Sequence, residues 1–263
     1  WIVACSCWNS RSQIVFVSAS TECFPDLPLR QSMEKLVDLE FNAVDMTIDE
    51  GGRHLKPSEV LDDLQRAIDI CHDTHRLIIS NFRYISAAQG DDRYREFEGL
   101  CRLAKAVKVA SITIPSGELG TPFNEEVEHL RDLVAIAATD GIVVSMHTQV
   151  GRMSQDCDTI QVLCDNVKGL GITLDPSHFI CREDGPKNYD KVLKYVRHVY
   201  LRDTSQKSMH VRVGQGEVEY GKLITQLEQI GYNRALTIHS PPLPDTDQMA
   251  EMRKMRLLLE SLL

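Results

Sequence analysis

The chain has 263 residues, of which 43% are hydrophobic and 25% charged, and it carries a formal net charge of −9 at pH 7. This hydrophobic content is enough to bury a large core, and a barrel of this length is commonly a single domain. The acidic balance argues against nucleic acid as the main partner, because binding a phosphate backbone requires a concentrated basic face. No apolar run is long enough to span a bilayer, so we expect no membrane association.

The first segment, residues 1–13, begins with Trp and fits none of the patterns that follow, so we interpret it as an N-terminal extension. Eight cysteines are scattered along the chain, mostly within apolar periodic stretches. This distribution is typical of a reduced, cytoplasmic protein and not of a disulfide framework. The sequence therefore predicts a cytoplasmic protein with one domain over residues 14–263.

Apolar runs of strand length alternate with segments of helical period. The predicted strands are Ile14–Ser18, Ala43–Thr47, Leu77–Asn81, Ser111–Ile114, Ile142–Met146, Gly171–Asp175, Val199–Arg202 and Leu236–His239. Between two of them, Leu130, Leu133, Val134 and Ala137 recur at helical spacing. Eight such units predict a single (β/α)8 barrel. An open doubly wound sheet is the alternative, but no Gly-rich phosphate loop follows the first strand, and we expect no nucleotide cofactor.

The most informative motif is Leu174-Asp175-Pro176-Ser177-His178, at the end of the sixth predicted strand. A carboxylate and an imidazole three residues apart, where a strand gives way to a loop, can both face one ligand. Sites in parallel α/β proteins are built at the carboxyl ends of strands. From these five residues alone, a loop with a capping Asp and a surface His remains an equal alternative.

Further motifs extend this pattern, and together they resemble the xylose-isomerase-like TIM-barrel superfamily, which holds sugar isomerases and epimerases and also endonuclease IV. The motifs are Asp175-Pro-Ser-His178, His198-Val-Tyr-Leu-Arg-Asp203, His210-Val-Arg-Val-Gly214-Gln-Gly216-Glu-Val and Gly231-Tyr232. The resemblance covers roughly residues 14–263. It implies a barrel whose carboxyl-terminal mouth acts on a small sugar-like compound.

The resemblance also implies one divalent metal at that mouth. Its ligands in the family are a Glu on strand five, the Asp of the Asp-x-x-His motif, a His on strand seven and a Glu on strand eight. The two glutamates typically also exchange the substrate's protons. Here Ser145, Tyr200 and His239 stand where the first Glu, the His and the last Glu are expected, and only Asp175 is retained.

Strand alternation suggests a different set of side chains at the mouth. Ser145 and His147 share one face of a strand, and Asp175 and His239 stand at matching strand ends. We therefore expect His147, Asp175, His178 and His239 to surround one pocket. Asp175, His147 and His239 are the predicted metal ligands, for zinc or manganese in preference to magnesium. The alternative is that the histidines hydrogen bond across a metal-free pocket.

Four more residues are predicted to bind substrate: Arg202, His210, Glu22 and Asn81. An arginine at a barrel mouth is a natural clamp for a carboxylate or phosphate. Glu22 and Asn81 stand at the ends of the first and third predicted strands, where helix capping is the simpler explanation.

Three functions follow as hypotheses. The first is an isomerase or epimerase of a small sugar or hydroxy-carbonyl compound, with His239, His147 and His178 as catalytic residues that transfer protons. The second is a barrel that binds a sugar-like ligand without turnover, which the loss of both family glutamates favours. The third, DNA repair of the endonuclease IV kind, is disfavoured by the acidic charge and the missing metal ligands. The sequence leaves open whether the chain forms a homo-oligomer.

Overall fold

The structure, a computed structural model, describes residues 15–263 and is organised around a closed barrel of eight parallel strands. Each strand pairs with the next in the chain, and the last pairs with the first. The strands are β1 (Phe16–Ser20), β2 (Ala43–Asp49), β3 (Ile78–Ile85), β4 (Ser111–Ile114), β5 (Val143–His147), β6 (Gly171–Leu174), β7 (Val196–Leu201) and β8 (Ala235–Ile238). The predicted (β/α)8 barrel is confirmed. The predicted extension, residues 1–13, lies outside the described residues.

Helices follow the strands along the chain. They are α1 (Leu29–Asp38), α2 (Pro57–Asp62), α3 (Leu64–His72), α4 (Gly90–Ala106), α5 (Phe123–Thr139), α6 (Cys157–Asn166), α7 (Ser177–Ile180), α8 (Tyr220–Gln229) and α9 (Gln248–Glu260). Leu130, Leu133 and Ala137 of α5 are buried, as their helical spacing predicts. Within residues 15–263, no helix is both long and apolar enough to cross a membrane.

Seven of the eight strands differ from their predicted bounds, and β3 and β7 differ by three residues or more at one end. β3 continues four residues past Asn81 to Ile85, because it pairs with β2 as far as Asp49. β7 begins at Val196, three residues before its predicted start. The longer β3 places Asn81 in the middle of a strand, with its side chain inside the barrel. Asn81 is fully buried and donates to Asp45 and Thr113, and its predicted contact with substrate stays a prediction.

The barrel interior is filled by a network of polar side chains centred on Asp45. Asn81 donates from Nδ2 to Asp45 Oδ2 over 2.8 Å, and His198 Nε2 lies 2.9 Å from the same oxygen. The Tyr200 hydroxyl donates to it over 3.2 Å. All four side chains are fully or almost fully buried. Such a network is stable because each buried polar group has a partner.

Replacing Asp45 by Ala should test how far the barrel depends on this carboxylate. We expect the variant to lose about 3–5 kcal/mol of unfolding free energy, because the side chains of Asn81, His198 and Tyr200 would lose a buried hydrogen-bond partner together, and each unsatisfied buried group costs about 1–3 kcal/mol. Urea unfolding followed by circular dichroism measures the loss. The control is Asp38→Ala, since Asp38 is exposed on α1. A loss equal to that of the control would contradict the proposed dependence.

Candidate active site at the mouth of the barrel

Four consecutive strands, β5 to β8, each deliver one polar side chain to the mouth of the barrel. His147 is the last residue of β5, and Asp175, Arg202 and His239 each follow the last residue of their strand. His178 joins them from α7, three residues after Asp175. Parallel strands place their carboxyl ends at the same end of the barrel, which explains why residues so distant in sequence meet here. The four residues expected around one pocket, His147, Asp175, His178 and His239, are thus near one another.

A buried ion pair between Asp175 and Arg202 lies at the centre of the site. Arg202 Nη2 is 2.6 Å from Asp175 Oδ2, and Arg202 Nε donates to Ser177 Oγ over 2.9 Å. The other carboxylate oxygen of Asp175 accepts the backbone N–H and the hydroxyl of Ser177. Burial alone would raise the pKa of Asp175, but the Arg202 guanidinium and the neighbouring imidazoles hold it well below its usual range. Asp175 is therefore a carboxylate with both oxygens occupied.

Two neutral imidazoles flank this pair. His147 Nε2 lies 3.5 Å from Asp175 Oδ2, and the His147 and His178 rings meet edge to face with centroids 5.4 Å apart. Burial lowers the pKa of His147 to about 3 and that of His178 to about 4, so both are uncharged at neutral pH. Among residues 15–263, His147 Nε2 is buried without a hydrogen-bond partner. A buried nitrogen in this state is available to a ligand.

Donor groups face both nitrogens of His178. The backbone N–H of Val150 donates to Nδ1 over 3.2 Å, and Arg202 Nη2 lies 3.1 Å from Nε2, which is also 3.7 Å from Asp175 Oδ2. A neutral imidazole has one lone pair and two donors compete for it, so His178 has no free lone pair.

On the other side of the mouth, His239 is held by Glu22. His239 Nε2 is 3.0 Å from Glu22 Oε2, and Arg83 forms an ion pair with the other oxygen of Glu22. Burial raises the pKa of Glu22, but the bond to His239 and the charge of Arg83 outweigh it and lower the value to about 2. The His239 ring stacks on Tyr200, with centroids 4.6 Å apart. His239 Nδ1, like His147 Nε2, has no partner within the described part of the chain.

One sequence assignment requires correction. Ser145 was expected at the position of the strand-five ligand, but it lies one layer deeper in the barrel. Its hydroxyl is 2.7 Å from Thr173 Oγ1 and 3.3 Å from Thr113 Oγ1. The side chain of β5 that reaches Asp175 is His147, two residues later. Tyr200 also points away from a ligand position, because its hydroxyl donates to Asp45 below.

The remaining predicted substrate-binding residues lie at the mouth. Arg202 and Glu22 are in the contacts described above, and His210, in the loop after β7, lies 2.6 Å from Ser240 Oγ. Sequence reasoning did not identify Arg83 or Arg152, which line a 120 Å³ pocket together with His147. The alternation of polar and apolar residues in 81–84 was the signal that β3 continues and carries Arg83 to the mouth.

The Gly-x-Gly motif after β7 supports the neighbouring residue Asp203. The backbone N–H groups of Gly214 and Gly216 donate to Asp203 Oδ2 over 2.7 and 3.1 Å. A Cβ at position 216 would lie 2.1 Å from Asp203 Oδ1, so this close approach requires glycine. Arg202 and Asp203 therefore do not pair with each other: one faces the mouth, and the other anchors the loop.

Comparison with known proteins places this chain in a family. A family model described as the xylose isomerase-like TIM barrel matches residues 33–258. The chain belongs to the xylose isomerase-like TIM-barrel family. An uncharacterized protein of Methanocaldococcus jannaschii is 23% identical over 252 residues, covering 86% of this chain and 84% of that protein.

Solved structures share the fold over almost the whole chain. A xylose isomerase domain protein from Planctomyces limnophilus is 21% identical, with a TM-score of 0.69 and coverage of 94% of this chain and 95% of that one. D-allulose 3-epimerase from Methylomonas sp., in complex with D-allulose, is 12% identical, with a TM-score of 0.74 and coverage of 95% and 98%. At sequence identities this low, the structural similarity shows that the fold is shared and nothing more.

The donors at the mouth include a possible metal-binding group. Ligand atoms of His147, Asp175 and His178 all lie within 4.8 Å of one another. One carboxylate and two imidazoles are the donor types of zinc sites. Within residues 15–263 this group does not include His239, whose Nε2 lies against Glu22, and the predicted ligand set of Asp175, His147 and His239 stays a prediction.

Two contacts nevertheless oppose the metal of the xylose isomerase-like family. The Arg202 guanidinium already lies on Asp175 Oδ2 and would repel a second cation. The lone pair of His178 accepts the Val150 N–H, which leaves His147 as the only free imidazole of the group. The residues present do not fit the metal as they are arranged, and we assign it no step in the reaction.

Replacing Arg202 by Met should convert this group into a better metal site. We expect zinc to bind the variant at least about tenfold more tightly than the unaltered protein, because a repelling charge next to Asp175 is removed. Competition with a zinc-sensitive dye measures both affinities. Adding Asp175→Asn should abolish the gain. Tight zinc binding by the unaltered protein, with no gain in Arg202→Met, would show that Arg202 does not oppose the ion.

The buried imidazoles should also make stability depend on pH. Between pH 6.5 and 3 the unfolded chain binds a proton at His147 that the folded chain does not bind, because the folded pKa is about 3 and the ordinary value is 6.5. The unfolding free energy therefore falls with falling pH across this window, by about 1.4 kcal/mol per pH unit for each such histidine.

His147→Gln isolates one of these contributions. We expect the slope of unfolding free energy against pH between pH 6 and 4 to be smaller in the variant, by about 1.4 kcal/mol per unit. Urea unfolding at each pH gives the slopes. His72→Gln is the control, since His72 is exposed on α3. Equal slopes for the unaltered protein and His147→Gln would mean that His147 is protonated in the folded state.

Proposed function

We propose that this protein is an isomerase or epimerase that transfers a proton beside the carbonyl of a small sugar-like compound. The observation that carries the proposal is His147 Nε2, a neutral and unpartnered nitrogen that lines a pocket beside the Asp175–Arg202 pair. A base next to a fixed cationic donor is what such chemistry requires, since one removes the proton and the other stabilises the enediolate oxygen. Membership of the family and the fold shared with D-allulose 3-epimerase support a sugar-like substrate.

Each side chain of the site then has a role. His147 accepts the proton from the carbon beside the carbonyl, and the electrons of that C–H bond move toward the carbonyl oxygen. Arg202 donates hydrogen bonds to this oxygen as it becomes negative. His178, whose nitrogens are both engaged, is a positioning residue that keeps Asp175 and Arg202 in place. Burial lowers the pKa of His147 and so weakens it as a base, and the carboxylate of Asp175 at 3.5 Å partly offsets this effect.

A second nitrogen is available for the return of the proton. Glu22 accepts the Nε2–H of His239, so the lone pair of His239 is on Nδ1, which has no partner in residues 15–263. The carboxylate also stabilises the imidazolium that forms when Nδ1 takes a proton. The His147 and His239 rings are 6.3 Å apart. Inversion at one carbon requires that a proton leave from one face and return on the other, and two proton carriers on different strands can do this.

Binding without turnover is the second candidate. It is favoured by the full occupation of both Asp175 oxygens, which leaves this carboxylate unable to act on a substrate directly. Neither candidate uses the predicted zinc or manganese ion, because Arg202 lies on Asp175 Oδ2, and the partner proposed under both candidates is a small sugar-like molecule.

Exchange of substrate hydrogen with solvent distinguishes the two candidates. In D2O, we expect NMR to show deuterium entering the carbon beside the carbonyl in a panel of ketoses that includes D-fructose and D-allulose. His147→Gln should slow exchange at least about 100-fold, the usual contribution of a general base. His72→Gln should not change it. Ketose binding with no exchange in the unaltered protein would favour the binding-only candidate.

His239→Gln provides a sharper test of the two-carrier arrangement. This variant should still exchange the hydrogen that His147 removes, but it should form the opposite epimer at least about 100-fold more slowly. NMR follows deuterium incorporation and epimer formation in the same sample. Equal losses of both would show that His239 and His147 act in one proton transfer and not in two.

A further inference from the structure

A second, larger cavity of about 580 Å³ lies beside the mouth. It lies between the segment from the end of β3 into α4, the segment from the end of β4 into α5, and the loop after β5. Residues from these three segments include Tyr84, Arg93, Glu126, His129 and Arg152. None of the catalytic roles proposed above uses it.

The two cavities are adjacent. Five residues line both of them: Tyr84, Ile85, Ile114, Pro115 and Arg152. The pocket that contains His147 has only 120 Å³, whereas ligand sites usually have about 300–1,000 Å³. A ligand of ordinary size that reaches His147 therefore has to extend beyond this pocket, and the larger cavity offers the space.

Two guanidinium groups line this space. Arg93 donates from Nε to the Ala88 carbonyl over 3.0 Å and its Nη1 lies 3.5 Å from His129 Nε2, while Arg152 donates from Nη1 to the Ser116 carbonyl over 2.7 Å. Within residues 15–263, neither guanidinium forms an ion pair with a carboxylate at 4.0 Å or less. The N–H groups on Nη2 of both arginines remain available to a ligand.

Acceptors and aromatic rings accompany these donors. Glu126 is buried, and one of its oxygens accepts the Gly117 N–H over 2.8 Å. The Tyr94 hydroxyl lies 3.1 Å from His129 Nδ1, and burial lowers the pKa of His129 to about 4, so that ring is neutral at pH 7. Tyr84 adds an apolar ring surface with a polar tip. Donors, acceptors and rings in one cavity suit a molecule with many hydroxyl groups.

The charges argue against an anion in the same cavity. The buried carboxylate of Glu126 lies among the two arginines, and the rim carries the exposed residues Glu118 and Glu125. The cavity thus has three carboxylates and only two guanidinium groups, so it has no net positive charge that would attract a phosphate or carboxylate. A neutral polyhydroxylated group is the better match.

We propose that the larger cavity binds a second sugar or polyol unit, so that the substrate is a disaccharide or glycoside whose reacting unit lies at His147. This inference rests on the proposed function for the identity of the reacting unit. It goes beyond that function because it assigns a new subsite and excludes a free monosaccharide as the preferred substrate.

Equilibrium binding tests the subsite without any need for turnover. The probes are D-fructose and three disaccharides that extend it by one hexose through different linkages: lactulose, turanose and isomaltulose. Ligand-observed NMR gives each Kd. We expect at least one disaccharide to bind at least tenfold more tightly than D-fructose, because only the disaccharides can fill both cavities.

Substitutions in the larger cavity test whether it is the cause of the preference for a disaccharide. Arg93→Leu removes free donors and Gln89→Trp fills the cavity from its exposed edge, so each should bring the ratio of the two Kd values toward one. The control is Arg131→Leu, since Arg131 is exposed on α5, donates to the Asn166 carbonyl and lines neither cavity. Circular dichroism verifies that each variant folds.

Two results would overturn the proposal. One is equal affinity for D-fructose and all three disaccharides. The other is tighter binding of D-fructose 6-phosphate than of any disaccharide, lost in Arg93→Leu, which would identify an anion site. His147→Gln separates this proposal from the proposed function, because it should abolish exchange and keep the disaccharide preference. If the unaltered protein prefers a disaccharide but exchanges no hydrogen, the subsite stands and the isomerase does not.

Discussion

The site at the mouth depends on one buried ion pair, Asp175 with Arg202. A carboxylate with no solvent contact is strongly unfavourable unless a cation and further donors surround it, and here the guanidinium and Ser177 supply both. This pairing makes Asp175 a fixed negative charge. It also determines what the neighbours can do, because burial beside a neutralised pair keeps the imidazoles of His147 and His178 uncharged. The positive charge next to Asp175 in this chain is the guanidinium of Arg202.

The histidines at the mouth differ in function because their partners differ. His178 has a backbone donor on one nitrogen and faces the ion pair with the other, so it can only hold its neighbours in place. His147 and His239 each keep one buried nitrogen without a partner. An unsatisfied buried nitrogen costs stability, and its presence at a pocket is the pattern expected where function and stability compete. Three residues of one type therefore divide into one support and two candidate proton carriers.

The sequence allowed prediction of the barrel and of the strand ends that meet at its mouth, because eight apolar runs and the Asp175-x-x-His178 motif are local signals. It did not allow prediction of how far each side chain lies from the mouth of the barrel. Ser145 and His147 lie on the same face of β5, and only the barrel's register shows which of them reaches the mouth. Asn81 was misplaced for a related reason: where β3 ends depends on its pairing with β2, which is a long-range contact. The cavity lined by Arg93 and Arg152 arises from three loops, and no local pattern predicts how loops face one another.

Tyr200 links the mouth to the interior, since its ring lies under His239 and its hydroxyl binds Asp45. Its position is where relatives are expected to carry a metal-binding histidine. Replacing Tyr200 by histidine alone would remove a buried aromatic ring, leave Asp45 with one donor fewer and take away the support of His239, while Arg202 would still lie on Asp175. A metal site at this mouth would therefore require Tyr200 and Arg202 to change together, so the effects of the two substitutions on metal affinity should be strongly non-additive.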